Sequence, residues 1–139
     1  MFLLDTNVIS ELMKTPADKN VVAWADDQSV SSLYISAVTH AEIHLGIELK
    51  PEGKRKTELR ERAERILARL DKRILSFDKY DAIRFATIVA ERRRLGRPIH
   101  HNDAQIAATA VEERLTLVTR NTKDFEHIEG LNLLNPWFE

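Results

Sequence analysis

Phe2-Leu3-Leu4 is an unbroken apolar run that ends on Asp5, followed by two small polar residues, Thr6 and Asn7, and then a helical pattern. An apolar run without alternation reads as a strand buried on both faces, which requires a parallel sheet covered on each side. Asp5 then sits at the carboxyl end of an interior strand, where open α/β sheets gather ligands. A carboxylate there is costly unless a cation or a donor accompanies it. Asp5 also suits a plainer role as the cap of the first helix. The two are separated by whether other acids reach the same place.

The rest of the chain supplies strands and helices in alternation. Val8, Ile9, Leu12 and Met13 mark a short helix that stops before Pro16, and Val21, Val22, Trp24 and Ala25 mark a second. Leu33-Tyr34-Ile35 reads as a strand, and Ser36 as the cap of a helix running to Leu49, with Val38, Ala41, Ile43, Leu45 and Ile47 as its apolar positions. Pro51-Glu52-Gly53 ends it. Lys54 to Lys72 is highly charged but keeps the stripe Leu59, Ala63, Ile66, Leu67, Leu70. Its pairs Glu58/Arg62 and Glu61/Arg65 stand at the i,i+4 spacing of a solvated face.

Ile74-Leu75 is a short strand, and Asp81 to Arg94 a helix with Ile83, Ala86 and Ala90 inward, closed by Gly96 and Pro98. A further helix carries Ile106, Ala107, Ala110 and Val111. Leu115 to Val118 and Leu131 to Leu134 are the last two strands. About five parallel strands joined by right-handed helical crossovers follow from this order. Residues 1–139 read as one domain, since a chain of 139 residues supports a single substantial core.

In this layout four carboxylates converge on one edge of the sheet. Asp5 follows the first strand, and Glu42 lies in the helix after the second. Asp103 opens the helix bearing Ile106, and Asp124 lies in the loop after Val118. Singly, each is explained as a cap or a surface residue. Together they repel one another unless a cation intervenes. An all-oxygen set suits a hard ion, so Mg²⁺ is the natural partner, with Mn²⁺ as a substitute. Such an ion neutralises phosphate charge and activates water, the chemistry of phosphodiester hydrolysis.

Other classes fall away. The chain has no cysteine, so disulfides and thiolate metal sites are excluded. No apolar stretch approaches the ~18 residues of a membrane span, and Asp5 interrupts any secretory core, so a cytoplasmic protein is expected. With 21 basic and 22 acidic residues, any nucleic-acid surface must come from local segregation.

The segments Leu3-Leu4-Asp5-Thr6-Asn7, Ser36 to Gly46 with Glu42, Asp103-Ala104-Gln105-Ile106-Ala107-Ala108-Thr109-Ala110, Leu117-Val118-Thr119-Arg120-Asn121 with Asp124-Phe125, and Leu133-Leu134-Asn135-Pro136-Trp137 stand in an order that resembles PIN-domain ribonucleases. They resemble more closely the VapC toxins of the FitB-like group, from bacterial type II toxin–antitoxin pairs. The resemblance implies a PIN-like three-layer α/β sandwich and an Mg²⁺-dependent endoribonuclease acting on RNA of the tRNA or rRNA class. It implies in-line attack by a metal-activated water, leaving a 5′-phosphate and a 3′-hydroxyl.

On that likeness Asp5 and Asp103 are the principal ligands. Glu42 and Asp124 complete the catalytic cluster, partly through waters, and Thr6, Asn7, Thr119 and Asn121 orient acids or substrate. The family further implies a homodimer and a VapB-like antitoxin whose C-terminal segment covers the site. His100-His101-Asn102 departs from the small residues expected before Asp103. Among the basic clusters, Arg92, Arg93, Arg94 and Arg97 have the fewest neighbouring acids in sequence and are the first choice for an RNA-binding patch. The rivals are a PIN-like binding module without cleavage and an aspartyl-nucleophile phosphotransferase. The latter is disfavoured because haloacid-dehalogenase-like enzymes need an acid where this chain has Asn7.

Overall fold

The computed structural model describes residues 1–138. Five parallel strands, β1 (Phe2–Leu4), β2 (Leu33–Ser36), β3 (Ile74–Leu75), β4 (Thr116–Val118) and β5 (Leu133–Leu134), form one sheet in the order β3-β2-β1-β4-β5. β1 is central: Leu3 stands beside Tyr34 on one side and Leu117 on the other. Successive side chains of a strand point to opposite faces. Leu3, Leu117, Tyr34, Leu75 and Leu133 accordingly face one apolar cluster, while Leu4, Val118, Leu33, Ile35 and Leu134 face a second.

Helices α5 (Lys79–Arg94) and α6 (His101–Glu112) cover the first face. Helices α1 (Thr6–Leu12), α2 (Lys19–Asp27), α3 (Ala37–Glu48) and α4 (Lys54–Arg69) cover the second. Leu3 and Leu4 are 0% and 1% exposed, which confirms β1 as a strand buried on both faces.

Helix starts follow their capping residues. Asp5 accepts the amide of Thr6, Asp18 those of Asn20 and Val21, and Ser36 that of Val38. α5 begins earlier than its sequence pattern suggests. Asp78 accepts the amides of Tyr80 and Asp81, while the Asp81 carboxylate reaches back to the Asp78 amide, forming a capping box. That phase turns Phe85, Ile88 and Val89 inward and leaves Ala86 exposed and Ile83 outward at 68% exposure, against the expectation that both face the core. α3 departs likewise. Thr39, Ile43 and Ile47, spaced by four, are buried, whereas Ala41 and Leu45 face solvent.

The expected ion pairs Glu58/Arg62 and Glu61/Arg65 are not among those formed by the described residues. Arg62 instead points its guanidinium to the Met13 carbonyl at 3.4 Å, tying α4 to the end of α1. Lys56 is buried too, its ammonium held by Glu52 at 2.6 Å and the Glu48 carbonyl at 3.3 Å.

Candidate active site

The carboxyl ends of the parallel strands and the starts of the helices that follow them share one edge of the sheet. Asp5 continues directly from β1, its amide donating to the Val118 carbonyl of β4 at 2.9 Å. Its side chain is buried and triply engaged: Oδ1 accepts from the Thr6 amide at 2.8 Å, and Oδ2 from the Thr119 hydroxyl at 2.8 Å and the Asn7 amide at 3.3 Å. Asp5 is therefore both the cap of α1 and the innermost acid of the site.

Thr119 Oγ1 also accepts from Asn7 Nδ2 at 3.2 Å and from the Asn121 amide at 3.1 Å. A hydroxyl has one proton and two lone pairs. With both pairs receiving donors, its proton is committed to Asp5 Oδ2. Burial pushes the Asp5 carboxyl up, and the Thr119 and Thr6 hydrogen bonds pull it back, with Glu42 and Asp124 repelling from nearby.

Glu42 projects from α3, about a turn and a half past its start. Its Oε1 accepts the Thr6 hydroxyl at 2.6 Å and its Oε2 the Asn102 amide at 3.4 Å. Thr39, fully buried, contacts the same Thr6 hydroxyl at 3.2 Å. Asp103 lies in the first turn of α6. Burial, then repulsion from Asp5, Asp124 and Glu42, pushes its carboxyl up to about 6, with His100 opposing. Asp5, Glu42 and Asp103 line one open cleft of about 370 Å³ with Thr6, Asn7 and Arg120.

Asp124 sits in the short turn Thr122–Phe125, on an adjoining cleft, close enough to raise both Asp5 and Asp103. His100 and His101 are exposed at the mouth of α6, His101 lying edge-on to Phe85 at 5.5 Å.

The all-oxygen donors and the mutual repulsion at Asp103 fit a divalent cation of the Mg²⁺ type. Among the described residues no group of three or more His, Cys, Asp or Glu side chains closes around a single point. The fit is to an ion that touches one or two carboxylates and keeps several waters, as Mg²⁺ does.

The basic cluster divides differently from its sequence. Arg92 is 5% exposed, and its guanidinium donates to three carbonyls, of Arg97 at 2.7 Å, Asp124 at 2.9 Å and Glu126 at 3.1 Å. It cannot face RNA. It pins the turn that carries Asp124 to the end of α5. Arg97 approaches Glu126 at 3.8 Å, while Arg93 and Arg94 are exposed. The basic side chains nearer the acids are ones the sequence reading passed over. Arg120 rims the acidic cleft, and Lys14, Lys50, Arg55 and Arg62 surround a groove of about 720 Å³ between α1, α3 and α4 that runs up to Thr6 and Glu42. No single periodicity marks them, because Lys14 and Lys50 lie just past α1 and α3, Arg120 just past β4, and only Arg55 and Arg62 belong to one helix, α4.

A covered parallel sheet with clustered acids at its carboxyl edge defines an α/β fold with an acidic site. The chain belongs to the PIN-domain family, whose profile matches residues 2–131. It is 43% identical over 138 residues to a VapC ribonuclease, Y4jK, of Sinorhizobium fredii, covering 99% of this chain and 98% of that one. Among solved structures, FitAcB from Neisseria gonorrhoeae superposes with a TM-score of 0.92 at 41% identity, over 100% of both chains. A toxin–antitoxin complex from Klebsiella pneumoniae superposes with a TM-score of 0.74 at 26% identity, over 98% of both.

Proposed function

We propose that this chain is a divalent-cation-dependent endoribonuclease, the toxin of a type II toxin–antitoxin pair, working in the cytoplasm on RNA of the tRNA or rRNA class. The observation that carries this is the cleft in which Asp5, Glu42 and Asp103 face one another, with Asp103 pushed up to about 6. Similarity to a ribonuclease and to a toxin–antitoxin complex supports the substrate class and the setting.

Asp5 and Asp103 would hold Mg²⁺ directly, Glu42 and Asp124 through water. When bound, the ion neutralises phosphate charge and eases deprotonation of water. The protein's part is arrangement. Thr119 and Asn7 fix the Asp5 carboxylate, Thr6 fixes Glu42, and Arg92 fixes the turn bearing Asp124. Asn7 holds Asp5 by a donated hydrogen bond where a phosphotransferase would place its second acid.

The groove between α1, α3 and α4 has an apolar floor that includes Met13, Ile43, Ile47 and Leu59 under a basic rim. It suits an extended or helical antitoxin segment entering beside Glu42. Leu45 and Leu49 on or just past α3, and Tyr80 and Ile83 on α5, are 58–75% exposed and supply uncovered apolar surface for a homodimer. The deciding experiment is cleavage of total RNA by purified protein. Mg²⁺ supports it, EDTA stops it, and Asp5→Asn, which keeps the helix cap, lowers it at least about 100-fold. Undiminished cleavage by Asp5→Asn refutes the proposal.

A further inference from the structure

The ending Asn135-Pro136-Trp137 takes no part in the acid cluster, yet it is firmly placed beside it. Asn135 donates to the Arg120 carbonyl at 3.3 Å and accepts the Trp137 amide at 2.9 Å, while Asn20 from α2 holds the Trp137 carbonyl at 2.9 Å. The Arg120 guanidinium carbon lies 5.2 Å from the centroid of the Trp137 ring. Next to them Phe138 is 76% exposed. Arg120, Trp137 and Phe138, with Asn121, Lys123 and the site acid Asp124, line a cleft of about 600 Å³. The cleft shares Arg120, Asn121 and Trp137 with the cleft of Asp5, Glu42 and Asp103.

Among the described residues, neither Arg120 nor Lys123 has a carboxylate within ion-pair distance. Among the described residues the Asn121 side-chain amide likewise shows no hydrogen bond, the one engaged donor of Asn121 being its backbone amide, to Thr119.

Exposed aromatic surface, an unpaired guanidinium plane and a free amide, joined to an acidic cleft, are the parts of a single-strand nucleobase site. We propose that this cleft is a nucleobase subsite: an unstacked base of the RNA next to the scissile phosphate lies on the Arg120 plane that Trp137 supports, flanked by Phe138. Lys123 and the guanidinium edge meet the adjoining phosphates, and the Asn121 amide faces the base edge. Arg is required here rather than Lys, because only a planar cation both stacks and donates in its own plane.

The proposal rests on the ribonuclease reading above, and binding and cleavage are measured separately so that the two fail separately. Binding of labelled RNA hexamers is measured by anisotropy in an Asp103→Asn background. Cleavage kinetics are measured with Mg²⁺ in the otherwise unaltered chain. Arg120→Lys and Phe138→Ala, both at exposed positions, weaken binding, the former by about 5- to 100-fold. They raise KM more than they lower kcat, and they change which base is preferred beside the cut. Trp137→Phe keeps part of the affinity.

In a Trp24→Phe background, whose lost ring packs against Phe2 at the amino end of β1, RNA quenches the fluorescence of Trp137. If the parent cuts RNA, and neither variant changes KM, and no quenching occurs, the subsite is refuted while the nuclease stands. If the hexamer binds in this Arg120-dependent way without any cleavage by the parent, the subsite stands and the nuclease is refuted. A parent that neither binds nor cuts refutes both.

Discussion

Asp103→Asn tests the electrostatics of the site without relying on activity. In the native fold the Asp103 carboxyl is raised from its ordinary 3.8 to about 6, so between these values the folded state holds a proton that the unfolded chain releases. Stability then falls as pH rises through that window, and the loss is complete above about pH 6. The window, at about 1.4 kcal/mol per pH unit, sets a ceiling of about 3 kcal/mol. Asp103 is partly open to water, which screens the repulsion and leaves about 1 kcal/mol.

Asparagine imitates the neutral acid and does not titrate. In EDTA, the stability of the variant relative to the parent therefore improves by about 1 kcal/mol between about pH 4 and pH 7, or about 3 °C in Tm. Urea denaturation at several pH values measures this. A difference that stays flat with pH, or moves against the variant as pH rises, refutes the coupling among Asp103, Asp5, Asp124 and Glu42.

Three further outcomes are expected. Mg²⁺ at ten times its dissociation constant raises stability by about 1.4 kcal/mol, and more weakly at pH 5 than at pH 7.5, where protons no longer compete for Asp103; calorimetry with and without EDTA checks both parts. Arg92→Ala leaves three carbonyls without their donor and costs about 3 kcal/mol in urea melts, whereas Arg93→Ala, at an exposed position, changes stability by less than about 0.5 kcal/mol. Thr119→Val, nearly equal in size at a fully buried position, withdraws the hydroxyl from Asp5. It costs about 1–3 kcal/mol at neutral pH and lowers RNA cleavage, with the stability loss shrinking in acid as Asp5 takes up a proton.

The sheet was legible because its signal is local. Phe2-Leu3-Leu4 and Leu117-Val118 are unbroken apolar runs, and each ends on a polar residue that marks the edge of the site. Even the two-residue β3 could be read, since helices flank it, and β5 showed as the leucine-rich run Leu131 to Leu134. Helix faces were harder. Ile83 was expected inward because apolar residues usually are, but the phase of α5 is set by the Asp78 cap, by Asp81 meeting Thr109 at 2.8 Å and by buried Arg92. A buried arginine looks in sequence like any other basic residue. Its acceptors are carbonyls, from Arg97 to Glu126, which no composition reveals. The same limit hid Thr39, and the Arg120–Trp137 contact, whose members are 17 positions apart and meet only when β5 docks.

The central position of β1 has a consequence for when the protein becomes dangerous to the cell that makes it. Asp5 is synthesised well before the residue whose hydroxyl fixes it, Thr119, 114 positions later. Its own amide is held by Val118, and Thr119 is held in turn by Leu134 of the last strand. β1 stays open on that side until β4 arrives, and β4 until β5 arrives. At about 5–20 residues per second, the ribosome spends several seconds on a chain that carries some of its acids but no assembled site. A nuclease wired in this way has no assembled site until β4 and β5 are in place, and a chain that stops before them lacks the contacts that fix Asp5.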